Sequence, residues 1–334
     1  MRRTPAQAGF TLPELLIAMA IMLVISGAAV SALLKMTSAQ ATIWNRTQMH
    51  SGIRGATEVL QQEVGQAGRI ALPMNSSSIP YPVTLASAVT AAGTTTVQIN
   101  STAPVSLDRT EGMFLGQRLQ IGYGSSQETV TLTAPPTATH ITATFANTHA
   151  IGEPVLAPGA FGTGIIPPAV SPSTYTPGGA TFTYANGSTG TVLKLYGDIN
   201  GDGNMVYIEY TCDTATNRNL YRNMMAWDAA TKPAVAASQI LLSNVVANPN
   251  STPCFTYQTA VVGGNVYVTD VAITLTVQTQ LVDPVTKQYQ TQTKALLNVS
   301  PRNTFNAWQM ASLGIADRIQ PIPPSVAALL APLP

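Results

Sequence analysis

The stretch that decides the fold is Gly9-Phe10-Thr11-Leu12-Pro13-Glu14-Leu15-Leu16, with the apolar run that continues from it to Leu34. Residues 15–34 carry no charge. As a helix, about 20 residues measure roughly 30 Å, the thickness of the hydrocarbon core of a bilayer. Glu14 stands at the mouth of this helix, where a carboxylate without a partner is costly. The pattern therefore predicts that Glu14 has a partner and that the helix is used in an assembly.

The charges around the apolar run predict its orientation. Arg2 and Arg3 precede it and Lys35 follows it. Positive charge before the span favours a leader in the cytoplasm, with the bulk of the chain outside. A secretory signal has its small-residue cleavage site after the apolar core, whereas here Gly9 lies before it. Cleavage after Gly9 would therefore leave the helix on the mature protein.

This arrangement resembles the class III leader of type IV prepilins and pseudopilins. The resemblance implies that residues 1–9 are a leader removed by prepilin peptidase after Gly9, and that Phe10 becomes an N-methylated N-terminus. Glu14 matches the acidic residue at the fifth mature position, which in this family pairs with the N-terminus of a neighbouring subunit. A plain anchor with an accidental glutamate is the alternative, and it leaves the Gly9–Phe10 junction unexplained.

The composition argues against several functional classes. Only 9% of the 334 residues are charged and the net charge is +1, against about a quarter charged in typical proteins. Nucleic-acid binding needs clustered lysine and arginine, which this sequence does not show. The sequence also has no G-x-S-x-G, H-E-x-x-H or phosphate-loop motif and only three histidines, so an enzyme is not expected. A weakly charged surface suits a periplasmic or extracellular protein packed among similar neighbours.

The residue pattern along the chain predicts an α+β pilin fold, a long N-terminal helix packed on an antiparallel β-sheet head. We assign residues 10–34 to a transmembrane or filament-core helix and 35–70 to an amphipathic helix of the head. Threonine alternating with aliphatic residues predicts an all-β insertion at 83–157 and a C-terminal pilin-like β head at 161–303.

The C-terminal tail and two histidines are interpreted from the residues around them in the sequence. A Pro-rich tail follows at residues 304–334, and Pro321, Pro323, Pro324, Pro332 and Pro334 argue against order at its end. His140 and His149 have few acids and no cysteine nearby in the sequence. They are interpreted as solvated loop residues.

One motif has the spacing of a cation site. Oxygen-bearing side chains alternate through Asp198, Asn200, Asp202 and Asn204, and Glu209 follows at the twelfth position. Because calcium loops wrap a hard cation with this spacing, the five residues are candidate ligands of a structural Ca2+ ion. No helix is expected beside the loop, and Asn-Gly and Asp-Gly are also hairpin-turn dipeptides. A bare polar turn therefore stays open as the alternative.

The two cysteines, Cys212 and Cys254, both follow the membrane segment. In an oxidising compartment one disulfide is the simplest interpretation, closing a loop of roughly 40 residues. Two buried thiols or a metal pair are the alternatives.

The head resembles the PilW-type minor pilins, more loosely, through the Asp-rich loop, Leu220-Tyr221-Arg222 and a strand ending at Pro301-Arg302-Asn303. The resemblances imply a minor pilin held in the bacterial inner membrane by a single helix, with its head in the periplasm. It would then join other pilins through that helix in an extracellular pilus, and serve assembly, adhesion or twitching motility. A minor pseudopilin of a type II secretion system and a pilus-tip adhesin stay as alternatives.

Overall fold

The computed structural model describes residues 10–72, 83–100, 110–168, 173–175, 182–184 and 186–331. The predicted leader at residues 1–9, with Gly9, lies outside these ranges. The chain divides into two compact units, Met1–Ser51 with Gln278–Gln292 and Gly52–Val277 with Thr293–Pro334.

The long N-terminal helix predicted from the sequence is confirmed as α1 (Leu12–Gln66), which has 55 residues. By its length and composition it is able to cross a membrane. Every residue from Leu12 to Thr37 is exposed, including the large apolar side chains Leu23 and Ile25. A continuous apolar surface of this size requires lipid or neighbouring helices as its environment.

In the second unit, the later part of α1 buries one face. Ile53, Ala56, Leu60 and Val64 are each 2% exposed or less, and their spacing follows one side of a helix. The helix ends because Gly68 adopts a positive φ of 82°, and a Cβ there would lie 2.9 Å from the Phe161 carbonyl oxygen.

Antiparallel sheets make up the head, as expected for a pilin fold. A four-stranded sheet has the order β10-β11-β12-β13, and in a second sheet three strands pair with β16. The strands of the first sheet are β10 (Val192–Gly197), β11 (Val206–Asp213), β12 (Asn219–Ala226) and β13 (Ile240–Ser243). Those of the second are β14 (Val245–Val246), β15 (Phe255–Val262), β16 (Asn265–Gln278) and β17 (Thr291–Val299).

In the described part of the region predicted as an all-β insertion, six strands form two three-stranded sheets, β1-β2-β5 and β4-β3-β6. These strands are β1 (Thr84–Leu85), β2 (Gly93–Asn100), β3 (Arg118–Ile121), β4 (Glu128–Thr131), β5 (His140–Phe145) and β6 (Val155–Leu156). Both sheets contribute to one hydrophobic cluster whose buried residues all lie between Val83 and Val155. The limits of this region as a domain stay a prediction.

The interpretation of His149 as a solvated residue is wrong. Its side chain is fully buried, with Nε2 2.8 Å from Glu128 Oε1 and Nδ1 2.6 Å from Glu153 Oε2. Glu128 lies 21 residues away in the sequence, so a search among sequence neighbours did not find it. His140 is only partly covered, with Nδ1 2.8 Å from the Thr139 hydroxyl.

The expected lack of order at the end of the tail is also wrong over the residues that the structure describes. The tail forms α2 (Arg302–Ser312), β18 (Ile319–Gln320) and α3 (Pro324–Leu329), and β18 pairs in parallel with β7 (Ala160–Phe161). Val326 and Leu330 are 0% exposed. Pro324 occupies the first turn of α3, where a missing N–H costs no intrahelical hydrogen bond. Pro332 and Pro334 lie outside the described residues.

Two short strands, β8 (Ser173–Tyr175) and β9 (Phe182–Tyr184), pair with each other.

Two lysines hold the end of this tail. Lys194 Nζ donates to the carbonyl oxygens of Asn186 at 2.8 Å and Leu330 at 3.1 Å. Lys232 Nζ donates to the carbonyl oxygen of Ala331 at 2.7 Å and also pairs with Glu209 Oε2 at 2.7 Å. Burial lowers the pKa of Lys194 to about 8.

The lowered pKa of Lys194 predicts a pH dependence of stability. Between pH 8 and its unfolded value of 10.5, the unfolded chain binds the proton that the native protein releases, so this group makes stability rise with pH. Lys194→Met should remove that rise in urea unfolding of the detergent-solubilised protein at pH 7.5, 8.5 and 9.5. The exposed Lys287→Met is the control and should keep it. Equal slopes for wild type and Lys194→Met would contradict the assignment.

A buried charged cluster joins α1 to the first sheet. Glu63 accepts hydrogen bonds from the Tyr210 hydroxyl of β11 and, at 2.9 Å, from Arg222 Nε of β12. Burial raises the pKa of Tyr210, and the neighbouring Glu63 carboxylate raises it further. Tyr210 is therefore a neutral donor, and Arg222 balances the buried charge of Glu63.

Breaking this cluster is expected to destabilise the head. Glu63→Ala leaves the Arg222 guanidinium and the Tyr210 hydroxyl without their acceptor, and should lower the free energy of unfolding by about 3 kcal/mol. Glu58→Ala is the matched control on the same helix, because the Glu58–Arg54 pair is exposed and such pairs contribute little to stability. Denaturant unfolding measures both, and equal losses would argue against a structural role of the cluster.

Candidate functional site

The first turn of α1 is organised by Glu14 and Thr11. Glu14 Oε2 accepts hydrogen bonds from the Thr11 backbone N–H at 2.9 Å and from the Thr11 hydroxyl at 2.8 Å. The Leu15 N–H donates to the Thr11 carbonyl oxygen at 3.2 Å, so Thr11 is the N-cap and Glu14 is the third helical residue. This is the glutamate half of a capping box.

Glu14 therefore has a partner within its own chain, which the sequence reasoning missed. The signal was present, since Thr11-Leu12-Pro13-Glu14 matches the S/T-x-x-E pattern of a capping box. Glu14 Oε1 has no hydrogen-bond partner among the residues that the structure describes. Phe10, the expected mature N-terminus, is 89% exposed. The site thus combines an available carboxylate oxygen of Glu14 with an exposed Phe10, while pairing between subunits stays a prediction.

The Asp-rich loop connects β10 to β11, and its candidate ligands have different environments. Asp198 is 0% exposed, and its Oδ2 lies 3.4 Å from Arg69 Nε. Burial raises the pKa of Asp198, and the charge of Arg69 partly offsets this effect. Asn200, Asp202 and Asn204 are exposed, and the Asn204 N–H donates to Asp202 Oδ1 at 2.9 Å.

Glu209, the remaining candidate ligand, lies in β11. Its Oε2 accepts hydrogen bonds from the Tyr207 hydroxyl and from Lys232 Nζ, each at 2.7 Å. Among the described residues, no three His, Cys, Asp or Glu side chains form a group that could hold a metal ion. A calcium ion would be bound by the exposed amide and carboxylate oxygens of the loop and by Asp198. The ion would then replace Arg69 as the positive partner of the Asp198 carboxylate. Calcium binding stays a prediction.

Cys212 and Cys254 form a disulfide bond across 42 residues, as expected. Cys212 lies in β11 and Cys254 immediately precedes β15, so the bond links the two sheets of the head. Each cysteine is 3% exposed. The bond constrains the unfolded chain and so favours the folded head.

A family model of the prokaryotic N-terminal methylation motif matches residues 4–30. The match includes Gly9, Phe10 and Glu14 and ends within the apolar part of α1. No curated protein and no solved structure matches the chain. Nothing in these comparisons supports the narrower PilW-type subgroup. The methylation motif and the long exposed apolar helix together support membership of the type IV pilin-like family.

Proposed function

We propose that this chain is a minor pilin of a type IV pilus, an assembly component cut after Gly9 and N-methylated at Phe10. The observation that carries the proposal is the methylation motif followed directly by an exposed apolar helix of membrane-spanning length. The motif family is structural rather than enzymatic, and its leader implies processing by prepilin peptidase and assembly with other pilins. Before assembly the helix would anchor the subunit in the inner membrane, and afterwards it would lie in the filament core.

The size of the head supports a minor rather than a major subunit. Beyond α1 the chain builds two sheets, a β region with a hydrophobic cluster of its own, and a packed tail. A head of this bulk is harder to accommodate in every turn of a tightly packed filament than at a few positions or at the tip.

Substitution of Glu14 separates its two roles. Glutamine is accepted at the third position of a capping box, so Glu14→Gln should keep the local cap with Thr11. It removes the charge that would pair with the α-amino group of a neighbouring Phe10. We expect normal cleavage after Gly9, measured by mass spectrometry, and loss of the subunit from sheared filaments. Thr11→Val is the control, because it removes only the hydroxyl bond and should still assemble. Normal incorporation of Glu14→Gln would contradict subunit pairing through its charge.

Two alternative functions, a type II secretion pseudopilin and a pilus-tip adhesin, can be distinguished by further measurements. The subunits that co-purify with the wild-type protein distinguish a pilus from a type II secretion pseudopilus. A tip adhesin is favoured by the separate hydrophobic cluster of residues 83–155. Deletion of residues 83–157 should then abolish adhesion while filaments still form, whereas loss of filaments supports assembly.

We also propose that the Asp-rich loop binds Ca2+, which would stiffen the connection between β10 and β11. Isothermal calorimetry on the solubilised protein should show a heat of binding that Asp202→Asn removes. Asp228→Asn, at another exposed aspartate, should not change it. If there is no heat and no calcium-dependent rise in Tm, the loop is a bare polar turn.

A further inference from the structure

We propose that the connection between β16 and β17, residues 279–290, is a membrane-contact surface that inserts apolar side chains among the headgroups of an anionic bilayer. This segment is called the β16–β17 loop below. The inference rests on the membrane anchoring in the proposed function, and it assigns the loop a partner that the leader motif does not specify.

The loop packs on α1 just beyond its membrane-length segment. Arg46 Nε donates to Gln290 Oε1, and the carboxylate of Asp283 contacts the Thr42 hydroxyl one turn closer to the helix N-terminus. The tip of the loop is therefore closer to the apolar segment than its base. Thr42 lies seven residues past Lys35, which is about 10 Å along a helix.

The position of the Thr42 contact can be compared with the thickness of the headgroup layer. The headgroup layer of a bilayer extends roughly 5–8 Å beyond the hydrocarbon core on each side. The contact of Asp283 with Thr42 lies at the outer edge of this layer when the apolar run spans the core, and the tip of the loop extends from there toward the apolar segment.

The loop exposes large apolar side chains although it is short. Leu281 is 62% exposed, Val285 66% and Tyr289 50%. On the adjacent part of α1, Trp44 is also exposed. Clustered exposed apolar residues mark contact sites, and tyrosine and tryptophan concentrate at the membrane–water interface.

The charges of this surface complement anionic lipids. Asp283 is the only acidic residue of the loop and is 3% exposed, so no carboxylate faces outward from it. Lys287 is exposed on the loop, and Lys35 and Arg46 are exposed on the neighbouring part of α1. Basic residues near the surface are attracted to acidic headgroups, whereas an exposed carboxylate would be repelled.

Asp283 also holds the loop in one conformation. Its Oδ1 accepts hydrogen bonds from the backbone N–H groups of Val285 at 2.8 Å and Thr286 at 2.9 Å. These bonds keep the pKa of Asp283 below its usual value, and the bond from the Thr286 N–H has the largest effect. Because the loop is already ordered, presenting its apolar side chains to lipid requires little further loss of conformational entropy.

Spin labels on the full mature chain test the proposal in nanodiscs that hold one subunit each. The described cysteines are both in the disulfide, so a label reports only the introduced cysteine. Val285→Cys probes the loop, Leu23→Cys the bilayer core, and Gln48→Cys an exposed site on α1 about 20 Å past Lys35. Collision with oxygen and with a water-soluble nickel complex is measured in neutral and in phosphatidylglycerol-containing discs.

The Val285 label should lose nickel accessibility relative to the Gln48 label and gain oxygen accessibility, more strongly in the anionic discs. Lys287→Glu should reduce this difference between lipids. Nickel accessibility at Val285 equal to that at Gln48, with Leu23 protected, would overturn the proposal while leaving membrane anchoring intact. An accessible Leu23 label would instead contradict the anchoring on which both proposals rest. Protection of Val285 that appears only in assembled filaments would assign the surface to a neighbouring subunit, and would also overturn the lipid assignment.

Discussion

One constraint organises this protein, namely that a single continuous helix must satisfy two different environments. From Leu12 to Thr37 no side chain of α1 is covered, whereas Ile53, Leu60 and Val64 are completely or almost completely buried. Apolar surface of the first kind is stable only in lipid or against other helices, and that of the second kind only under a protein core. The sheets and the tail, with the disulfide that links the two sheets, form the protein core that the buried half of the helix requires. The methylation motif lies in the exposed half.

The buried half depends on a few polar links rather than on apolar packing alone. Glu63 joins the helix to two strands of the first sheet through Tyr210 and Arg222. At the helix end, the Gly68 N–H donates to the Tyr196 carbonyl oxygen, and the Asn303 side-chain amide donates to the carbonyl of Gln66 at 3.0 Å. Chain segments far apart in sequence thus satisfy the helix terminus, whose last carbonyls have no intrahelical partner.

The sequence was most informative where local patterns decide the structure. The long helix and the disulfide were both predicted, because apolar periodicity and compartment chemistry require no knowledge of distant residues. The errors share a cause. His149 is buried against Glu128, and Pro321, Pro323 and Pro324 are ordered because α3 and its neighbours enter a core made by other segments. Contacts between distant segments leave no local signal, although Glu153, the second partner of His149, lies only four residues away in the sequence. Thr11 is an exception, because its capping pattern with Glu14 is visible in the sequence itself.

Lys194 donates a hydrogen bond to the carbonyl oxygen of Leu330, and Lys232 donates one to that of Ala331, so the core of the head is completed by residues near the end of the described chain. Both ammonium groups are partly or fully enclosed, and they find acceptors in almost the last residues of the chain that the structure describes. A polypeptide that stops before residue 330 would leave these acceptors out and lose the apolar plug of α3 as well. The head would therefore reach its final packing only after this segment has been synthesised. Such truncated chains would expose apolar core surface, which favours aggregation.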